Sequence, residues 1–185
     1  MKLLIIVAGR KNGNSFQTMT HCLKSNNLSA VEYSIVDLSE KKIAYCDGCL
    51  SCDETGKCHI VDDMNAIVLN AKDSDAMAFF SPVRWSLLSG DLKVMLDRLN
   101  PLAASEELSG KKAVAICIGQ TDVKDDVSIS RALDSIRFFC ENAGISFIGE
   151  CAIGNCLESG DVCARESDLI KATETFKKLL QGEVI

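Results

Sequence analysis

The sequence predicts a doubly wound α/β domain, a parallel sheet with helices on both faces, and three observations predict it. Short apolar runs of strand length alternate with apolar stripes at helical spacing almost from end to end. Several of the runs are continuous rather than alternating, as expected of strands buried on both faces. The 185 residues suit one domain, 1–185, with enough chain to bury an ordinary core.

Leu3 to Ala8 is the first buried strand. From Ser15 to about Asn26, Phe16, Met19 and Leu23 recur at helical spacing, and Val31, Tyr33 and Ile35 then alternate as a second strand. A Cys-rich loop at about 44–60 follows. Asp62 and Asp63 open a helix with Met64, Ile67, Val68 and Ala71 on one face, the acids suiting the helix dipole. Asp75 to Phe80 is the third strand. Leu88, Leu92, Met95 and Leu99 form a helix stripe that stops before Pro101. Ala113 to Ile118 is the fourth strand, and Ile129, Ala132, Ile136 and Phe139 mark the next helix. Ile145 to Ile148 is the fifth strand, and Leu169, Ala172, Phe176 and Leu179 mark the closing helix. Five strands at this length fit the flavodoxin-like order 2-1-3-4-5, whose ligands sit at the switch point between the first and third strands. The loops Gly9–Ser15 and Ser81–Ser86 are therefore the ones to inspect.

Composition narrows the function. Hydrophobic residues make up 47% and charged residues 25%, which is globular rather than disordered. The net charge of −6 is dispersed without a Lys/Arg cluster, which argues against a nucleic-acid surface. No run approaches the roughly 18–20 apolar residues of a membrane span. Met1 to Gly9 reads as a strand rather than a signal peptide, having a brief apolar run and no Ala-x-Ala-type site. A cytoplasmic location is expected. There, ten cysteines point to metal or redox chemistry rather than disulfides, with Cys22, Cys117 and Cys140 as small core side chains.

Two segments carry chemistry. Gly9-Arg10-Lys11-Asn12-Gly13-Asn14-Ser15 joins a buried strand to a helix and offers free N–H groups to an anion. Asn14 and Ser15 add donors, and Arg10 or Lys11 add charge. It is neither a Walker loop nor a Gly-x-Gly-x-x-Gly turn, so phosphate binding and an ordinary capped turn both stay open. Cys46, Cys49, Cys52 and Cys58 read C-x2-C-x2-C-x5-C, a run suited to four-thiolate ligation. An iron–sulfur cluster, bare thiols and zinc are the three readings of that spacing, the first being favoured because zinc sites more often use two separated pairs. Cys151, Cys156 and Cys163, irregularly spaced, read as buried or incidental thiols, and His21 as a surface residue. No Ser-His-Asp set or His-Glu-x-x-His supports a hydrolase.

Taken together, these residues resemble the NAD(P)H-dependent FMN reductase-like branch of the flavodoxin superfamily, especially the iron–sulfur flavoproteins. The resemblance rests on Arg10-Lys11-Asn12-Gly13-Asn14-Ser15, on the four-Cys run followed by Asp62-Asp63-Met64, and on Ser81-Pro82-Val83-Arg84-Trp85 leading to Asp97-Arg98. It implies FMN, with the phosphate on Arg10, Lys11, Asn12, Asn14 and Ser15. It places the ring against Ser81, Pro82, Val83, Arg84, Trp85 and Ser86, with a further loop at Gly119. It also implies a 4Fe–4S cluster on the four cysteines, a homo-oligomer in which cluster and flavin exchange electrons, and ferredoxin or NAD(P)H as redox partner. No side chain need act as acid or base, since the cofactor carries the chemistry. Ala8-Gly9 departs from the Ser-Pro usual in that group, and Arg84 from its Tyr. A fixed guanidinium at the flavin N1–C2=O edge would favour the anionic reduced ring. Two rivals remain: an NAD(P)H-dependent FMN or quinone reductase without a cluster, and a zinc-stapled non-enzymatic binding module.

Overall fold

The computed structural model describes residues 1–124 and 126–181. Five parallel strands, β1 (Lys2–Val7), β2 (Glu32–Asp37), β3 (Ala76–Pro82), β4 (Lys112–Ile118) and β5 (Ser146–Ile153), form one sheet in the order 2-1-3-4-5. The central strands β1, β3 and β4 are buried almost throughout, which explains their uninterrupted apolar sequence. β2, at an edge, leaves Tyr33 and Ile35 exposed and keeps Val36 inside.

Side-chain alternation along the strands divides the interior into two cores. Leu4, Ile6, Met77, Phe79 and Ala115 pack with α3 (Met64–Asp73), α4 (Gly90–Asp97) and α6 (Ser128–Asn142) on one face. Leu3, Ile5, Ala78, Phe80 and Ile116 pack with α1 (Asn14–Ser25) and α7 (Glu166–Lys177) on the other.

Three expectations change. β5 runs to Ile153 rather than Ile148, with Ala152 and Ile153 paired to Cys117 and Ile118. Gly149 and Glu150 interrupt the apolar run without interrupting the strand, because the Lys178 stem packs beside Gly149 and Glu150 pairs with Arg137. The stripe from Leu88 to Leu99 is not one helix. Ser89 caps α4 by accepting from Leu92 N–H, and α5 (Asn100–Ala104) begins around Pro101, whose missing N–H suits a first turn. Finally, the Cys-rich stretch contains a short helix, α2 (Ser51–Thr55), flanked by left-handed Leu50 and Gly56.

Candidate functional site

The carboxyl ends of β1, β3 and β4 open onto a cavity of about 460 Å³ at the switch point. Gly9, at φ +94°, lets the first loop lie against the third strand's end; a Cβ there would stand 2.7 Å from Pro82 Cγ. Gly119 has no room either, since a Cβ would meet Ile129 Cγ1 at 2.6 Å. The close approach at these positions is thus one that any side chain larger than hydrogen would disturb, most of all at Gly9 with its left-handed backbone.

Of the residues expected at a phosphate and ring site, Arg10, Asn14, Ser15, Pro82, Val83, Arg84 and Gly119 line the cavity. Ser15 is buried, and among the described residues its hydroxyl has no partner. It sits in the first turn of α1, where backbone N–H groups lack intrahelical acceptors. That combination fits an anion, and a cavity continuing along Pro82, Val83 and Gly119 fits the rest of an FMN. Arg84 is exposed, and among the described residues its guanidinium donates only locally, to the Val83 carbonyl at 3.3 Å, so nothing there fixes it as expected.

The remaining positions lie elsewhere. Lys11 pairs with Glu40, and Asn12 offers its carbonyl to Gln17 and Ser159. Ser81 is buried behind the cavity, its hydroxyl accepting from Ser89 N–H. Trp85 and Ser86 both have positive φ and form the tip of a tight turn closed by reciprocal Arg84–Leu87 backbone bonds. The turn throws Trp85 outward, 99% exposed, and ties Ser86 to the Ser128 hydroxyl at 2.8 Å. Sequence reasoning missed Cys156, Leu157, Glu158 and Ser159, which complete the cavity from a loop after β5. No short-range pattern announces them.

The four cysteines of the run line a second cavity, about 680 Å³, between the Cys-rich loop and the Leu96–Ala104 and Phe139–Ala143 segments. Polar groups already face two of the sulfurs. Asn100 Nδ2 lies 3.1 Å from Cys52 Sγ, and Cys49 Sγ has the Ser51 hydroxyl at 3.2 Å and His59 Nδ1 at 3.3 Å. Four cysteines lining one space, with polar groups beside two of the sulfurs, fit a thiolate-held group. Asp47, Cys49 and His59 also bring ligand atoms within 4.8 Å of one another, with His59 Nε2 at 3.1 Å from Asp47. By contrast, Cys22, Cys117, Cys140, Cys151 and Cys156 are buried, and burial pushes their thiols up, to about 12 for Cys22, Cys140 and Cys151.

Arg98 closes the Cys-rich loop at its base. It is 2% exposed and donates to the Ala44 carbonyl (2.6 Å), the Ile60 carbonyl (3.2 Å) and both oxygens of Asp62 (2.8 and 3.1 Å). Asp62 also accepts from Ala44 N–H and caps α3 through Met64 N–H, so the acid placed by the sequence at a helix start holds the loop as well. Burial alone would raise the Asp62 carboxyl. The Arg98 guanidinium and the two N–H groups outweigh it and hold that carboxyl below its ordinary range. Among the described residues, no helix is long and apolar enough to cross a membrane.

Comparison with known proteins places these features. The family described as NADPH-dependent FMN reductase matches residues 1–128. An iron–sulfur flavoprotein of Methanocaldococcus jannaschii is 32% identical over 110 residues, 60% of this chain and 57% of that protein. One from Archaeoglobus fulgidus is 33% identical over 62% of this chain and 52% of its own length. The chain therefore spans little more than half the length of these two relatives. One from Clostridioides difficile is 28% identical over 90% of this chain and 73% of its own length. Among solved structures, the NAD(P)H:quinone oxidoreductase of Methanothermobacter marburgensis superposes with a TM-score of 0.72 at 18% identity, covering 99% and 98% of the two chains. An FMN-dependent NADH-azoreductase from Bacillus anthracis, in complex with FMN, gives 0.73 at 14% identity, covering 98% and 100%. At such identities the superpositions establish the flavodoxin-like fold alone.

Proposed function

The chain belongs to the NADPH-dependent FMN reductase family, and from that premise we propose that it is a single-domain FMN-binding oxidoreductase that relays electrons between a 4Fe–4S cluster and the flavin. The observation that carries the flavin part is the switch-point cavity with the buried Ser15 hydroxyl, without a partner among the described residues, at its helix end. Ser15 and the first-turn N–H groups of α1 would hold the phosphate, with Arg10 adding charge. Pro82, Val83, Arg84 and Gly119 would bound the ring. FMN exchanges one or two electrons, and the protein's part is to bind it, orient it and limit water around it.

The cluster part rests on the four cysteines lining one cavity and on the relatives named for iron and sulfur. Cys46, Cys49, Cys52 and Cys58 would hold the cluster, with Asn100, Ser51 and His59 donating toward two of the sulfurs. A one-electron partner such as ferredoxin, or NAD(P)H as two-electron reductant, would supply the electrons. In the expected homo-oligomer, a second copy could cover the exposed Trp85. The plain reductase is favoured by the family match, whose description names FMN and NADPH and no cluster. The Asp47–Cys49–His59 group favours zinc.

An ultraviolet–visible spectrum of anaerobically purified protein, with iron and zinc analysis on the same sample, separates these readings. Flavin bands with a broad iron–sulfur shoulder and about four irons per chain are expected. Cys52→Ser should remove the iron and keep the flavin. Flavin without metal, bleached rapidly by NADPH, would put the plain reductase first. A colourless protein that takes up zinc and no FMN would overturn the proposal.

A further inference from the structure

The loop 154–163, which the sequence gives no reason to place at the cavity, forms its fourth wall through Cys156, Leu157, Glu158 and Ser159. Asn14 is its main tie. The carboxamide oxygen accepts from the N–H groups of Gly160 (2.9 Å) and Val162 (3.4 Å), while Nδ2 donates to the Glu158 carbonyl (2.8 Å). Backbone donors on one side and a backbone acceptor on the other set the orientation of the amide and engage both its ends. Two smaller ties lie alongside: the Ser159 hydroxyl donates to the Asn12 carbonyl (3.2 Å) and the Cys163 thiol to Gln17 Oε1 (2.9 Å). On its far side the same loop is bound to the segment after β4. Cys156 N–H donates to the Gly119 carbonyl (3.0 Å) and Asn155 N–H to the Thr121 carbonyl (3.1 Å).

We propose that Asn14 is a positioning residue that holds the 156–160 loop closed as a wall of the flavin cavity, and is not a phosphate ligand. The inference rests on the reading that FMN fills that cavity. Its physical basis is that the side chain the sequence assigns to phosphate has its oxygen doubly engaged and one of its two Nδ2 protons given to the loop, whereas the Ser15 hydroxyl, one residue on, is buried and without a partner among the described residues. Neighbouring residues thus have separate work. Ser15 reads the phosphate, and Asn14 keeps the wall that any flavin, phosphorylated or not, must pack against.

Riboflavin, which lacks only the phosphate, tells the two roles apart. Apoprotein would be titrated with FMN and with riboflavin by fluorescence quenching, in wild type, Asn14→Ala, Asn14→Asp and Ser15→Ala. Losing the ties should weaken both ligands by the same factor, about tenfold, in Asn14→Ala. Asn14→Asp, which keeps the acceptor oxygen but sets a carboxylate against the Glu158 carbonyl, should move both in the same direction by less. Ser15→Ala should weaken FMN and spare riboflavin.

A second readout needs no flavin: the labelling rate of the buried Cys156 thiol in apoprotein, followed by mass spectrometry, should rise in Asn14→Ala. Should that variant fold poorly, Ser159→Ala removes a lesser tie and should shift both ligands and Cys156 labelling the same way, more weakly. Loss of FMN affinity with riboflavin affinity and Cys156 protection intact would make Asn14 a phosphate ligand and overturn the proposal. No change in either ligand or in labelling would overturn it as well. If the wild type bound neither flavin, the functional reading would fail, and Cys156 labelling would still decide whether Asn14 holds the loop.

Discussion

The two cavities are built on opposite principles. The one at the switch point is made by the ends of buried strands, and Gly9 and Gly119 beside it leave no room for a Cβ. The one at the cysteines hangs on a loop leaving the sheet, held at its base by the ion pair between the buried Arg98 and the half-buried Asp62. The first inherits its shape from the core of the domain. The second depends on a few side chains, and the loop spends strain as well, since Leu50 lies at φ +59°. A site made from strand ends should therefore be robust and local in its failures, and a clasped loop should open as a unit.

The sharpest way to break this contrast is Arg98→Met. Taking the buried guanidinium away from the half-buried Asp62 and two loop carbonyls should cost about 2–3 kcal/mol in urea unfolding. Proteolysis within residues 44–62 should accelerate, while whatever protein remains folded should bind FMN within about twofold of wild type, a change under 1 kcal/mol. If stability fell by less than about 1 kcal/mol, as for an exposed pair, the clasp would not be what holds the loop. Gly9→Ala attacks the other site. A left-handed backbone with a side chain and a 2.7 Å contact should cost about 1–3 kcal/mol and weaken FMN, with iron content unchanged. Equal loss of iron would show the two sites to be mechanically one.

Acid should separate them further. The Asp62 carboxyl is depressed on folding, so the stability it contributes is present above its ordinary value of 3.8. That stability is lost as pH falls through the lower, folded value. Cleavage of the 44–62 loop should stay flat on acidification to about pH 4 and rise below it, and a rise already complete at pH 5 would mean another group controls the loop. The smallest effect belongs to Arg84. An exposed guanidinium at the cavity mouth is screened by water, so Arg84→Leu should lower the FMN midpoint potential only slightly, and less still at high salt. An unchanged potential would remove Arg84 from the redox argument.

Legibility in the sequence follows the same division. The loop from Gly9 to Ser15 and the segment from Pro82 to Arg84 were readable because a strand end and the residues after it are chain neighbours. Lys11, Asn12, Ser81, Trp85 and Ser86 share those loops but not the cavity, because a loop's direction is set by turn geometry that residue type alone underdetermines. Trp85 shows it best. An aromatic in a ring-flanking segment suggests a wall, yet two positive φ angles in succession place it at the tip of a turn. Leu157 and Glu158 were invisible for a different reason, since their place depends on Asn14, 143 and 144 residues earlier in the chain.

What the sequence determined by itself was the order and burial of the strands, and with them the end of the sheet where a ligand can sit. Hydrophobic periodicity is a local property, and parallel strands joined by right-handed crossovers admit few arrangements. It also marked the cysteines by spacing alone. Only the tertiary structure decided which side chains of each loop face the cavity, that Arg98 closes the Cys-rich loop, and that Asn14 turns toward the loop after β5. Those are contacts between residues distant in sequence, and a buried donor or acceptor chooses its partner only after the fold has brought the candidates together.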